Sequence, residues 1–300
     1  MAVSDALSQP EPQTGNWRDY LELTKPRVVA VMVLTSIVGM LLASPQLPSL
    51  TLFIMANLGI ALAAGAAATV NHVVDRRIDA FMNRTKRRPV ADGKVKPWLA
   101  LSFAACLASL GLSILVVYAN PLTAVLTFAS VIGYALIYTL YLKRATPQNI
   151  VIGGIAGASP PLLGWVAVTG SVDPNALLLV AIIFAWTPPH FWALCLAKQA
   201  EYAEAGIPML PVTHGRQYTK LHMVLYTLLM VVVTLLPVLT GMCGWIYVLW
   251  VSVLNCRFLW LMRTVWYSED DADAMRLFFY SIRYIMWLFL ALLVDHFVIL

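Results

Sequence analysis

Apolar stretches of about 20 residues alternate with short polar breaks along the chain, at roughly 28–45, 50–70, 98–118, 122–142, 149–169, 177–197, 222–241, 244–263 and 277–299. A helical run of that length matches a hydrocarbon core about 30 Å thick. The pattern predicts an all-α, polytopic membrane protein with nine transmembrane helices. Two neighbouring spans are interrupted. One carries Gly153, Gly154 and Gly157, then Ser159-Pro160-Pro161; the next carries Trp186-Thr187-Pro188-Pro189-His190-Phe191-Trp192. Proline removes an amide donor, and backbone freed at membrane depth is tolerated where it is buried or lines a cavity. Glycines also let helices pack closely, so close packing is the plainer reading; breaks in both spans favour a cavity.

Composition agrees with the pattern. The chain has 300 residues, 60% of them hydrophobic and 12% charged, about half the charged share of a soluble domain. Nothing in it reads as a separate soluble domain. Placing the N-terminus in the cytoplasm puts all 20 Lys and Arg residues on cytoplasmic segments, as the positive-inside rule expects. The net charge of +5 then belongs to one membrane face and argues for anionic lipid or a phosphorylated substrate, not nucleic acid. Residues 1–24, rich in Pro, Gln and Ser with four acids, are expected to form a disordered cytoplasmic tail, and 25–300 a single membrane domain. The segment lacks both the Arg-rich character of a mitochondrial presequence and the apolar core of a secretory signal. The expected location is a bacterial inner membrane. Cys106, Cys195, Cys243 and Cys256 lack paired spacing and read as small apolar packing residues.

The polar blocks carry the chemistry. Asn71, Asp75 and Asp79 recur every four residues at the end of the second apolar run, so a helix aligns them on one face. Arg84-Thr85-Lys86-Arg87-Arg88-Pro89 follows. Two carboxylates and an amide suit Mg2+, which takes one or two protein carboxylates and fills its shell with water and phosphate oxygens. Neighbouring cations would neutralise the remaining phosphate charge. The plainer reading is a solvated helix end whose Asp and Arg residues pair with each other. A second acidic block, Glu201-Tyr202-Ala203-Glu204, follows the sixth run, and acidic pairs of this kind are usually plain surface. Among the histidines, His190 beside the two prolines is the best placed to meet a substrate. Tyr134, Tyr138 and Tyr141 recur at helical spacing before Lys143-Arg144, which suits a packing and interfacial belt, or aromatic faces for a cation.

These residues resemble the UbiA superfamily of intramembrane prenyltransferases, from Thr24-Lys25-Pro26-Arg27 to the last span. Asn71-x-x-x-Asp75-x-x-x-Asp79 and Arg84-Thr85-x-x-Arg88-Pro89 are similar to its first acidic motif. Tyr138-Thr139, Leu142-Lys143-Arg144-x-Thr146-x-x-Asn149 through Gly154, Gly157-Ala158-Ser159-Pro160-Pro161, Pro188-Pro189-His190-Phe191-Trp192 and Ala205 through Val212 resemble the branch that prenylates heme. One departure is Glu201, where the family's second motif begins with Asp; its longer arm moves the carboxylate oxygens.

The resemblance implies nine helices around a central cavity capped by the two acidic loops. It implies transfer of a farnesyl group from farnesyl diphosphate to a vinyl group of protoheme IX, giving heme O. Asn71, Asp75 and Asp79 would be the catalytic residues and, with Glu201, the Mg2+ ligands. Arg84, Arg88, Lys143, Arg144, Tyr138, Asn149, His190 and Tyr202 would contact substrate. Heme A synthase and heme–copper oxidase assembly factors are expected partners, with the bilayer. A prenyltransferase of phenolic quinone precursors would share the acidic motif, and a transporter would share the broken spans. An acceptor assay separates the first, and flux without a new product the second.

Overall fold

The computed structural model describes residues 15–83 and 85–299. Among them every regular element is helical. Helix α1 (Trp17–Leu23) is followed after Thr24 and Lys25 by α2 (Pro26–Leu42), with a bend of 52° between them. Then come α3 (Leu50–Asp79), α4 (Pro97–Tyr118), α5 (Pro121–Ala145), α6 (Asn149–Thr169) and α7 (Pro174–Ala197). Two short helices, α8 (Gln199–Glu204) and α9 (Leu210–Thr213), lead to α10 (Gly215–Leu239), α11 (Trp245–Tyr267) and α12 (Asp271–Ile299). Among the described residues eight helices are long and apolar enough to cross a membrane, and the bent pair α1–α2, taken as one span, makes a ninth. The nine-span pattern is therefore present, with boundaries close to those of the apolar runs.

The helix starts follow from local chemistry. Pro26, Pro97, Pro121 and Pro174 occupy first positions, where a missing amide hydrogen matters least. Ser49, Asn120 and Asp173 cap α3, α5 and α7 by accepting from backbone amides. The stretch expected as tail is ordered from its later part: Asn16 and Asp19 form a reciprocal capping box that starts α1. Residues 1–14 of that expectation lie outside the described residues.

Close approach of backbones builds the first half. A methyl group on Gly39 would sit 2.0 Å from the Pro161 carbonyl oxygen, and one on Gly164 2.0 Å from that of Ser36, so α2 and α6 touch through bare backbone. In the second half, a buried hydrogen-bond chain replaces small residues. Tyr247 donates to the Thr234 carbonyl (2.8 Å), Asn255 to the Thr234 hydroxyl (3.0 Å) and Tyr284 to Asn255 (2.6 Å). The buried Asp295 carboxylate caps α11 by accepting from the Gly244 and Tyr247 amides.

The two expected interruptions behave differently. At Ser159 the span does break, into Asn149–Ala158 and Pro160–Thr169. At Pro188 and Pro189 α7 runs on through both rings. The prolines are buried, and Thr187 turns its hydroxyl back onto the Ile183 carbonyl at 2.7 Å, so the helix keeps its course. The tyrosine spacing also misleads. Residues Gly133–Leu142 of α5 form a π-helix, with hydrogen bonds one residue longer than in an α-helix. Of the four cysteines, Cys195 and Cys243 pack inside as expected, whereas Cys106 and Cys256 face outward from their helices.

Candidate active site

The last turns of α3 bring Asn71, Asp75 and Asp79 onto one buried face; Asp75 is only 1% exposed. Their partners come from three other segments. Lys25, in the bend before α2, donates to Asn71 Oδ1 at 2.5 Å. Lys25 takes a left-handed conformation with φ 51°, a strained choice for a residue with a Cβ. Asn71 donates in turn to Asp75 Oδ2 at 2.7 Å, and Lys143, from the end of α5, donates to the same oxygen at 2.6 Å. Arg88 reaches both oxygens of Asp79 at 2.8 and 2.7 Å. The expectation that Asp and Arg pair with each other is met in part; the solvated setting is not, because the carboxylates are buried and their cationic partners half-buried. Asp75 Oδ1 is buried without a partner. His72, beside Asn71, is buried with neither ring nitrogen paired.

The π-helix explains how α5 reaches this cluster. Thr139 donates to the carbonyl of Tyr134 five residues back, at 2.8 Å, and accepts from Asn71 at 3.3 Å. Tyr134 and Tyr138 stack with centroids 5.5 Å apart and both line a cavity, while Tyr141 points outward as a belt residue would. Gly153 makes room: a methyl there would sit 2.2 Å from a Tyr138 ring carbon.

That cavity holds about 660 Å³ and runs from Lys25 and Arg27 into the apolar interior between α2, α3, α5, α6, α7 and α12. Its walls are mostly Val, Ile, Ala and Gly, with His190, Trp186 and Phe278 on one side. His190 is stacked between Trp186 (4.2 Å) and Phe278 (4.7 Å). A cavity of this size, apolar along its length and charged at one end, suits a molecule with an anionic head and a long hydrocarbon body.

The other expected site residues scatter more widely. Arg144 is exposed and reaches only the Val74 carbonyl, at 3.4 Å. Asn149 is fully buried and donates to the Thr146 carbonyl at 2.7 Å, its own oxygen unpaired at the start of α6. Tyr202 is buried in α8. Glu201 pairs with Lys198 at 3.0 Å and lines a separate polar pocket with Arg216 and Asp271. Among the described residues no three His, Cys, Asp or Glu side chains gather into a metal-holding group, so Glu201 does not join Asp75 and Asp79. Arg84 lies outside the described residues. Lys25, Trp186, Phe278 and Ser281 are the neighbours that spacing did not single out as site residues. Lys25 had a sequence signal in Thr24-Lys25-Pro26-Arg27; the rest depend on contacts between distant helices.

The sequence model of the UbiA prenyltransferase family matches residues 32–290. The chain is 62% identical, over 95% of its length and 94% of the relative's, to a protoheme IX farnesyltransferase of Marinobacter nauticus. It is 60% identical to another of Hahella chejuensis over 95% of both chains. Among solved structures, digeranylgeranylglyceryl phosphate synthase superposes with a TM-score of 0.78 at 19% identity, over 93% of this chain and 98% of that one. A UbiA homolog from Archaeoglobus fulgidus bound to DMAPP and Mg2+ superposes with a TM-score of 0.65 at 15% identity, over 91% of this chain and 99% of that one. With the fold, the acidic face of α3 and the sequence match in agreement, this chain belongs to the UbiA prenyltransferase family.

Proposed function

We propose that this protein transfers the farnesyl group of farnesyl diphosphate to a vinyl group of protoheme IX, giving heme O, at the inner membrane of a bacterium. The observation that carries this reading is identity of about 60% along nearly the whole chain with enzymes of that name.

In this reading the diphosphate lies at the charged end of the cavity and the prenyl chain runs between the helices. Lys25, Lys143 and Arg88 are within hydrogen-bond reach of Asn71, Asp75 and Asp79 and would turn toward phosphate oxygens. The unpartnered Asp75 Oδ1 and the aligned Asp79 fit a divalent cation. Asp75 and Asp79, with Asn71, would hold Mg2+, which supplies Lewis-acid charge to the leaving diphosphate. Cleavage of the C1–O bond sends its electron pair to diphosphate and leaves an allylic cation. The stacked Tyr134 and Tyr138 offer π faces to that charge. The apolar walls keep water from C1 until the vinyl carbon has bonded to it. Water then captures the cation formed on the porphyrin side chain and releases a proton, giving a hydroxyethylfarnesyl group. No protein nucleophile is required.

The test is to incubate the purified protein with protoheme IX, farnesyl diphosphate and Mg2+, and to weigh the porphyrins by mass spectrometry. A farnesylated, hydrated heme that disappears with EDTA and in Asp75→Ala is the expected result. Unchanged heme, with prenylation of a phenolic acid supplied in its place in a parallel incubation, would replace this reading with a quinone-precursor enzyme.

A further inference from the structure

His190 is the one histidine among the residues lining the cavity, and its two ring nitrogens have different surroundings. Nδ1 lies 2.6 Å from the Ser281 hydroxyl oxygen. That hydroxyl has a single hydrogen, and it is directed at the Phe278 carbonyl, 2.6 Å away, which can only accept. Ser281 must therefore accept from His190, so the proton sits on Nδ1. This fixes the tautomer and leaves Nε2 with its lone pair and no protein partner among the described residues.

The ring cannot readily turn to hide that lone pair. Trp186 and Phe278 hold its two faces, with interplanar angles of 14° and 19°. Trp186 is itself tied to α12 by donation from its indole nitrogen to the Ser281 carbonyl at 2.9 Å. A neutral imidazole, held in plane, donating through one nitrogen and presenting the other to a cavity, is the arrangement of a metal-ligating histidine. Mg2+ is a poor match, because it prefers oxygen; iron in a porphyrin is a good one. His190 lies seven residues before the end of α7 at Ala197, roughly 10 Å down the helix from its charged end. An iron there would sit inside the apolar part of the cavity, clear of the diphosphate charges.

We propose that His190 Nε2 is the axial ligand to the iron of the acceptor porphyrin, with Ser281 the positioning residue that sets its tautomer and plane. This rests on the reading of the acceptor as heme, and its test is chosen to fail separately. Purified full-length protein is titrated with hemin and with iron-free protoporphyrin IX, following the Soret band and the iron–imidazole stretch by resonance Raman. The wild type binds hemin at least about tenfold more tightly than the iron-free ring and gives a histidine-ligated spectrum. His190→Gly loses both the preference and the spectrum, and added imidazole restores the spectrum, which only a folded cavity permits. Ser281→Ala binds hemin but lowers the iron–imidazole stretching frequency, and Ser281→Thr returns it.

A ligated spectrum and undiminished hemin preference in His190→Gly overturn the assignment, as does a wild type that binds the two porphyrins equally. If either result comes from a protein that still makes farnesylated heme, the ligand is wrong and the function stands. If the wild type makes no farnesylated heme, the functional reading has failed instead.

Discussion

Asp75 receives hydrogen bonds from both Lys143 and Asn71 on one oxygen, with almost no solvent to share the charge. Removing one partner of such a pair leaves an uncompensated charge, which costs about 3–5 kcal/mol. Lys143→Ala is therefore expected to lower the thermal midpoint in detergent and to abolish turnover. Lys143→Met combined with Asp75→Asn should regain most of the stability and none of the activity, since no charge is stranded but the diphosphate has lost its partners. Near-normal turnover in Lys143→Ala would remove that lysine from the site. The acidic face itself was legible, because four-residue spacing at a helix end needs only local geometry. Lys25 and Ser281 were not legible as site residues: one meets Asn71 across 46 positions and the other meets His190 across 91. No local pattern encodes either contact.

Elements are where sequence and structure part most clearly. The apolar runs located the spans, since length and hydropathy are what a bilayer selects. They could not show that α5 winds as a π-helix near its end, because tyrosines four apart fit either winding loosely. Nor could two adjacent prolines reveal a continuous α7; that depends on Thr187 and on neighbours able to tolerate freed carbonyls. Gly153 lets the π segment aim Tyr138 inward. Gly153→Val should displace that ring, reduce transfer at least roughly tenfold (about 1.4 kcal/mol in barrier) and raise the share of farnesyl diphosphate lost to water as farnesol. Product analysis on a variant with an unchanged thermal midpoint decides this; unaltered partition between heme product and farnesol would leave Tyr138 as a packing residue.

At the scale of the whole molecule, antiparallel spans place the bend at Lys25, the end of α3, the α5–α6 turn, α8 and the α11–α12 turn at one end of the bundle. This is the end that holds the lysines and arginines, and we propose that it faces the cytoplasm. Cysteines introduced at Lys86 and at Thr240, in a chain whose own four cysteines are replaced, make the test. The first should react with an impermeant maleimide only after the inner membrane is opened, the second in intact spheroplasts. The reverse labelling would invert the orientation while leaving the fold intact. That the basic segments share one end was legible from the charge pattern; the cavity beneath that end was only hinted at by broken spans, because its walls come from six helices at once.

The countercharges of the α3 carboxylates also have an order in time. Asp79 finds Arg88 nine positions later, whereas Asp75 waits for Lys143, 68 positions downstream. During synthesis the α3–α4 hairpin therefore emerges with one acid neutralised and the other still dependent on water or headgroups. Asp75 cannot settle into the bundle until α5 has been inserted and its last turn has arrived. A nascent chain released after α4 is thus a fragment with an unmatched buried acid, and quality-control proteases should clear it faster than one released after Lys143.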